Sequence, residues 1–277
     1  MKITKILILL LVLTLLFSIT SYAKDEPAYA KVEQTNENFD TTKTGQGSVG
    51  TRYIPLEDKR VKTRVQNADL KYDYDLFGRD YFEYFPLQLG NGEYKVSVFE
   101  NITDNRYRQV KVKSITAEIK NPLDVFTTSV QTVNWNPEME IIKKAAELTK
   151  GLKTDKQKIL AIYNFVIDTF SYDYDKINNI ELTYVPDIEK IYKEKNGICY
   201  DYSAVLAAML RSQNIPTKLI KGYSDLVKGY HAWNEVYLAD EDQWMVIDST
   251  YDSGLKKKNK KFNMEKDSSK YHGTKEY

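Results

Sequence analysis

The hydrophobic period of this chain changes near residue 136, and that change restricts it to an α+β fold with strands and helices in separate stretches. Between about 51 and 135 the pattern alternates. Val61, Thr63 and Val65 share one face, as do Tyr94, Val96 and Val98. Alternation of this kind marks half-buried strands. Gly90-Asn91-Gly92, after Leu87 and Leu89, is a tight-turn signal, and Asn101 to Asn105 punctuates the next turn. Tyr107, Val110, Val112, Ile115 and Ile119 are expected to mark two more strands. The stretch 51–135 therefore reads as a β-rich, sandwich-like domain.

From 136 the period is helical. Met139, Ile142, Ala145 and Leu148 lie on one face, and Gly151 ends that helix. Thr154-Asp155-Lys156-Gln157 is a capping box that opens a second helix, with Ile159, Ile162, Tyr163, Val166 and Phe170 on its apolar face. Residues 170–175 alternate briefly, and 188–195 read as a short helix. A further helix starts at Cys199, after the turn at Gly197, and ends near Asn214, with Pro216 just beyond. Three strands follow at 218–223, 230–238 and 243–247. Residues 255–277 are lysine-rich and weakly patterned. Lys256-Lys257-Lys258 reads there as a solvated face, and His272 as part of a polar tail.

Cys199 is the one cysteine of the chain. It cannot form an internal disulfide, so the fold must stand on its core. Its place at a helix start gives it partial positive charge and unpaired N–H groups, which favour thiolate over thiol. The bland alternative is a small buried hydrophobe. His231 and Asp248, on consecutive strands, turn the balance toward a Cys-His-Asp acyl-transfer triad. In a simple hairpin, with Asp240-Glu241-Asp242 as the turn, His231 and Asp248 are nearly opposite, about 4.5–5.5 Å apart at Cβ. A bulge would move one of them by a residue and turn the pair apart. Cys199 is then the nucleophile, His231 the base and later the acid, and Asp248 the group that orients the imidazole. The Cys199 N–H is one oxyanion donor, and Tyr172 or Tyr174 is a candidate for the second. Trp233 is expected in the core or the groove wall.

The amino terminus addresses the chain. Lys2 and Lys5 flank an apolar run from Ile6 to Phe17, and Ser21-Tyr22-Ala23 supplies small residues for cleavage. Residues 1–23 read as a secretory signal, too short and wrongly flanked for a membrane span. Residues 24–50 are polar and read as a flexible linker. With 40 basic and 39 acidic residues, no strongly basic face argues for nucleic acid. Two histidines and one cysteine cannot supply an ordinary zinc site, and Asp173, Asp175 and Asn178 lack the spacing of a calcium loop, so no metal and no cofactor are expected. The mature chain is expected to be a secreted or cell-wall-associated monomer, without a stable membrane anchor, that acts on protein or peptide substrates.

The segments Gly197-Ile198-Cys199-Tyr200-Asp201-Tyr202, Met209 to Pro216, Lys221-Gly222-Tyr223, His231-Ala232-Trp233-Asn234-Glu235-Val236 and Trp244 to Thr250 together resemble the transglutaminase-like superfamily. The region 80–135 is more loosely similar to the β-rich part that precedes this domain in exported proteins of Gram-positive bacteria. The resemblance implies a papain-like α+β core over 136–277, Cys199, His231 and Asp248 as the triad, and a thioester intermediate. An amine attacking that thioester makes the protein a crosslinking acyltransferase on glutamine or a related amide. Water attacking it makes a peptidase or amidase. A surface-binding module that retains the scaffold without catalysis is a third reading. The oxyanion tryptophan and the calcium sites of animal transglutaminases have no evident counterpart.

Overall fold

The computed structural model describes residues 38–77 and 80–277. The leader expected at 1–23 and residues 24–37 of the expected linker lie outside the described residues. The N-terminal strands are β1 (Phe39–Asp40), β2 (Ser48–Thr51), β3 (Val61–Asn67), β4 (Leu70–Leu76), β5 (Glu83–Pro86), β6 (Gly92–Thr103) and β7 (Arg106–Ala117). They form two antiparallel sheets, β1-β2-β5 and β4-β3-β6-β7. Val49 and Phe85 from the first sheet and Val61, Val65, Val96 and Val98 from the second are buried in one core. The Tyr74 and Phe85 rings meet between the sheets at 4.7 Å.

Two expectations are corrected here, and one expected turn links strands of different sheets. Residues 38–50 are not linker, because β1 and β2 carry Phe39 and Val49 into the core. The partner of β2 is β5, more than thirty residues on, so no local pattern announces the pairing. The expected turn at Gly90-Asn91-Gly92 is present, but it does not join paired strands. Its flanking strands belong to different sheets, and the Asn91 side chain ties the turn to Ile119 N and O at 2.8 and 3.1 Å. Finally, Arg106–Ala117 is a single long strand, continuous through its exposed lysines because β6 pairs with it along nearly its whole length.

Next come α1 (Glu140–Thr149), α2 (Asp155–Thr169), β8 (Ser171–Tyr172), α3 (Tyr174–Asn178), α4 (Ile188–Glu194), β9 (Asn196–Gly197) and α5 (Cys199–Arg211). The capping box of α2 is formed: Thr154 Oγ1 accepts from Gln157 N, and Gln157 Oε1 accepts from Thr154 N at 3.2 Å. Every residue of α5 is buried, which makes it the central helix. The chain ends in β10 (Thr217–Ser224), β11 (Val227–Leu238), β12 (Gln243–Ile247), α6 (Ser249–Lys257) and β13 (Tyr271–Glu276). These strands form an antiparallel sheet in the order β12-β11-β10-β13. The segment expected to be a weakly patterned tail thus supplies an edge strand, anchored by buried Tyr271 and Tyr277.

Asn234 fixes α5 to the sheet, since its Nδ2 donates to Ser203 O at 3.0 Å and Lys218 O at 3.1 Å. Arg211 locks the other end of α5. Its guanidinium is fully buried and donates to Thr217 O, Thr128 O and Tyr277 O at 2.8–2.9 Å. Burial works against its charge, and the three carbonyls offset that cost. Arg211→Met keeps the length but removes the guanidinium donors from these three carbonyls, of which Tyr277 O keeps its bond from Leu219 N. It is expected to lower stability in urea unfolding by about 3 kcal/mol.

Candidate active site

Cys199 occupies the first turn of α5 because three groups hold the segment before it. β9 pairs in parallel with β8, Tyr172 against Gly197. The Asp201 carboxylate reaches back and accepts the Ile198 N–H at 2.9 Å, satisfying a free donor at the helix start. That buried carboxylate also accepts from Lys176 Nζ at 2.6 Å and Tyr184 OH at 2.5 Å. Gly197 is a strand residue rather than the expected turn. It must be glycine for another reason: a Cβ there would lie 2.6 Å from Asp201 Cβ.

His231 and Asp248 come together, but not in the expected register. β11 and β12 pair Asn234 with Ile247 and Leu238 with Gln243, so a four-residue turn joins them, with Asp242 in the left-handed region. Asp248 therefore lies two residues out of register with His231, just past the end of β12. The offset is even, so the pleat keeps both side chains on the same face. His231 Nε2 donates to Asp248 Oδ2 at 2.8 Å, and both residues are buried. The Cys199 side chain also acts on this imidazole and raises its proton affinity. Burial disfavours the imidazolium, yet the bonds and charges of Asp248 and Cys199 outweigh it and push the His231 pKa up to about 10. Asp248 is also the N-cap of α6, its Oδ1 accepting from Tyr251 N at 3.0 Å.

Tyr271, which lay in the supposed tail, completes the group. Its hydroxyl donates to Asp248 Oδ2 at 3.0 Å, and burial together with the Asp248 charge keeps the phenol protonated. Its only trace in the sequence is an aromatic residue among lysines, with nothing local to show that β13 pairs with β10. Gly222 permits that pairing, because a Cβ there would sit 2.1 Å from His272 O. Of the two places expected for Trp233, core and groove wall, it takes the core. It is 1% exposed, with its ring 6.2 Å from the His231 ring and 5.1 Å from that of Tyr271.

A cleft of about 500 Å³ opens beside His231, lined by Tyr172, Tyr174 and Tyr202, by Leu226 to Lys228, and by the α6 face from Thr250 to Lys258. Tyr172 and Tyr174 stand together there, 4.9 Å between ring centres, and Tyr174 is largely exposed. Burial, then the charge of Cys199, push the Tyr172 phenol up to about 12, so it remains a donor near the thiol. On the neighbouring strand Lys221 holds its ammonium 3.3 Å from the Tyr200 ring centre, and burial brings its pKa down to about 8 despite the pull of Cys199. Among the described residues no cluster of three His, Cys, Asp or Glu side chains could hold a metal ion.

Two outcomes follow from this geometry. The His231 pKa lies above its ordinary 6.5, so its stabilising contribution is complete below that pH and is lost as pH rises through about 10. In urea unfolding, the advantage of the wild type over His231→Gln is expected to be largest near about pH 6 and to shrink steadily toward about pH 10. Tyr271→Phe keeps the ring against Trp233 and deletes the donor to Asp248. It is expected to cost about 1.5–3 kcal/mol of stability and to slow alkylation of Cys199 by neutral iodoacetamide.

Residues 142–249, which contain Cys199, His231 and Asp248, match the family described as the Transglutaminase-like superfamily. The UPF0252 protein MJ1282 of Methanocaldococcus jannaschii is 26% identical over 174 residues, an overlap that covers 55% of this chain and 47% of that protein. The chain thus spans about half the length of that relative. Among solved structures, the periplasmic domain of TgpA from Pseudomonas aeruginosa is similar at TM-score 0.40 and 13% identity, over 81% of this chain and 99% of that one. Red sea bream transglutaminase is similar at TM-score 0.33 and 12% identity, over 73% and 48%. The chain carries, at residues 142–249, a core domain of the transglutaminase-like superfamily.

Proposed function

We propose that this protein is a secreted cysteine acyltransferase that works through a Cys199-His231-Asp248 triad and a thioester acyl-enzyme, with the side-chain amide of a protein glutamine or a related amide as acyl donor. The observation that carries the reading is the buried His231–Asp248 hydrogen bond of 2.8 Å, on an imidazole that the Cys199 side chain also acts on. That arrangement stores a proton on His231 next to a nucleophilic sulfur.

The steps follow from those positions. The Cys199 Sγ thiolate attacks the amide carbonyl carbon, and the negative charge moves to the carbonyl oxygen. The Cys199 N–H, at the start of α5, and the Tyr172 hydroxyl are the donors that this reading assigns to that oxygen. As the C–N bond breaks, His231 Nδ1 gives its proton to the nitrogen and ammonia leaves. A primary amine then attacks the thioester and His231 Nδ1 takes its proton. Sulfur departs as thiolate, leaving a new amide. Asp248 retains its proton-free state throughout and holds the ring with Nδ1 toward sulfur, supported by Tyr271. The apolar run and cleavage pattern at 1–23 support an extracytoplasmic location for this chemistry. Among the described residues no helix is long and apolar enough to cross a membrane.

The test offers the full chain a glutamine-containing protein together with a fluorescent primary amine. Amine incorporation with release of ammonia is expected, and Cys199→Ala is expected to abolish it. Chain cleavage, or ammonia release without incorporation, would assign the thioester to water and make the protein a peptidase or amidase. Incorporation that persists in Cys199→Ala would overturn the enzyme assignment.

A further inference from the structure

The walls of the cleft beside His231 carry charge of one sign. Lys228 enters from the β10–β11 hairpin, and Lys257 and Lys258 from the end of α6. No Asp or Glu lines the cleft. The carboxylates closest in sequence are engaged elsewhere: Asp225 with Lys270 and His272, Asp252 with Lys266 and Tyr163, and Asp168 with Lys256. Asp173 and Asp175 line a separate hollow with Lys176 and Lys190, and Asp201 pairs with Lys176. Among the described residues, Lys228, Lys257 and Lys258 form no ion pair, and Lys257 donates to the neutral Ser171 Oγ at 3.0 Å. Lysines in the last turn of a helix suit its dipole, which explains Lys257 locally. Lys228 lies on a strand, and no such reason applies to it. Three ammonium groups on two facing elements, without counter-charge, raise the local potential of the cleft and attract anionic chains.

The remaining lining fixes the kind of anion. Tyr172, Tyr174, Tyr202, Leu226, Val227 and Leu255 offer aromatic and aliphatic surface that a bare inorganic anion would leave unused. We infer that the cleft binds acidic peptide segments, so that the acyl donor is an amide set among Asp or Glu residues with an apolar neighbour. On this inference the exposed Lys257 and Lys258 border the site, while Lys256 is paired with Asp168 outside it. The inference rests on the acyl-transfer reading only for the chemistry of the amide, not for occupancy of the cleft.

Two measurements test it separately from catalysis. The first is protection of Cys199 from iodoacetamide by a short glutamate-rich peptide without glutamine, against an arginine-rich peptide of equal length. Protection by the acidic peptide alone is expected. It should weaken as salt rises, and weaken in the Lys228→Glu/Lys257→Glu/Lys258→Glu variant. Each exposed pair is weak, so the three together are expected to shift the protecting concentration roughly tenfold. The second is kcat/KM for glutamine peptides with acidic or arginine flanks, where the wild type is expected to favour the acidic one and the triple variant to lose or invert that preference. Equal protection by both peptides, or protection unchanged in the triple variant, would overturn the inference. Acidic-peptide protection without turnover would leave it standing and remove the acyl-transfer reading instead.

Discussion

Asp248 is the joint on which the site depends. One carboxylate caps α6 through Tyr251 N, accepts His231 Nε2 and accepts Tyr271 OH. A buried carboxylate is costly unless its lone pairs are satisfied, and these three donors come from a helix start, a central strand and an edge strand. The same residue is therefore a helix cap and the orienter of the proposed general base. The two roles are physically one, because the cap fixes the carboxylate plane that aligns the imidazole.

Charge balance around the thiol follows the same logic. At the start of α5, Asp201 binds the Ile198 N–H but brings a negative charge close to the proposed nucleophile. Lys176 neutralises it directly, and the Tyr184 hydroxyl occupies its other oxygen. Asp201 can thus shape the turn without repelling a thiolate, and Lys221 adds a cation over the Tyr200 ring. Behind Asp248, Lys266 and Tyr163 satisfy Asp252, a second buried carboxylate on α6. Each buried charge here has a partner assigned to it from another element.

Much of this was legible in the sequence where the determinant is local. The α2 capping box, the start of α5 at Cys199 and the three strands after Pro216 are set by neighbours within a few residues. The facing of His231 and Asp248 was legible too, although the turn is longer than the minimal one, because an even register error preserves the face. What stayed hidden was non-local. β1 and β2 need a partner beyond residue 80, β13 needs β10, and Tyr271 reaches Asp248 across 23 positions. Gly197 looked like a turn glycine and Gly222 like an ordinary strand residue, yet each is set by steric contact, Gly197 with Asp201 one helical turn on and Gly222 with His272 of β13.

Tyr271 also explains why the N-terminal sheets matter to a site to which they contribute no lining residue. β13 is an edge strand, and an uncovered edge frays or pairs with other chains. Here the N-terminal region covers it. Tyr72 OH accepts from Glu276 N, Gln88 Nε2 donates to Glu276 O at 3.2 Å, and the Tyr72 and Tyr74 rings pack edge-on against Tyr277, each 5.9 Å away. Tyr277 in turn continues the ladder, exchanging hydrogen bonds with Leu219 at 2.9 Å, and accepts from Arg211. The β-rich region thus clamps the far end of the strand whose first residue supports Asp248. Its structural role is to hold β13 in register, because a slip of one residue would turn Tyr271 to the opposite face and leave Asp248 without one of its three donors.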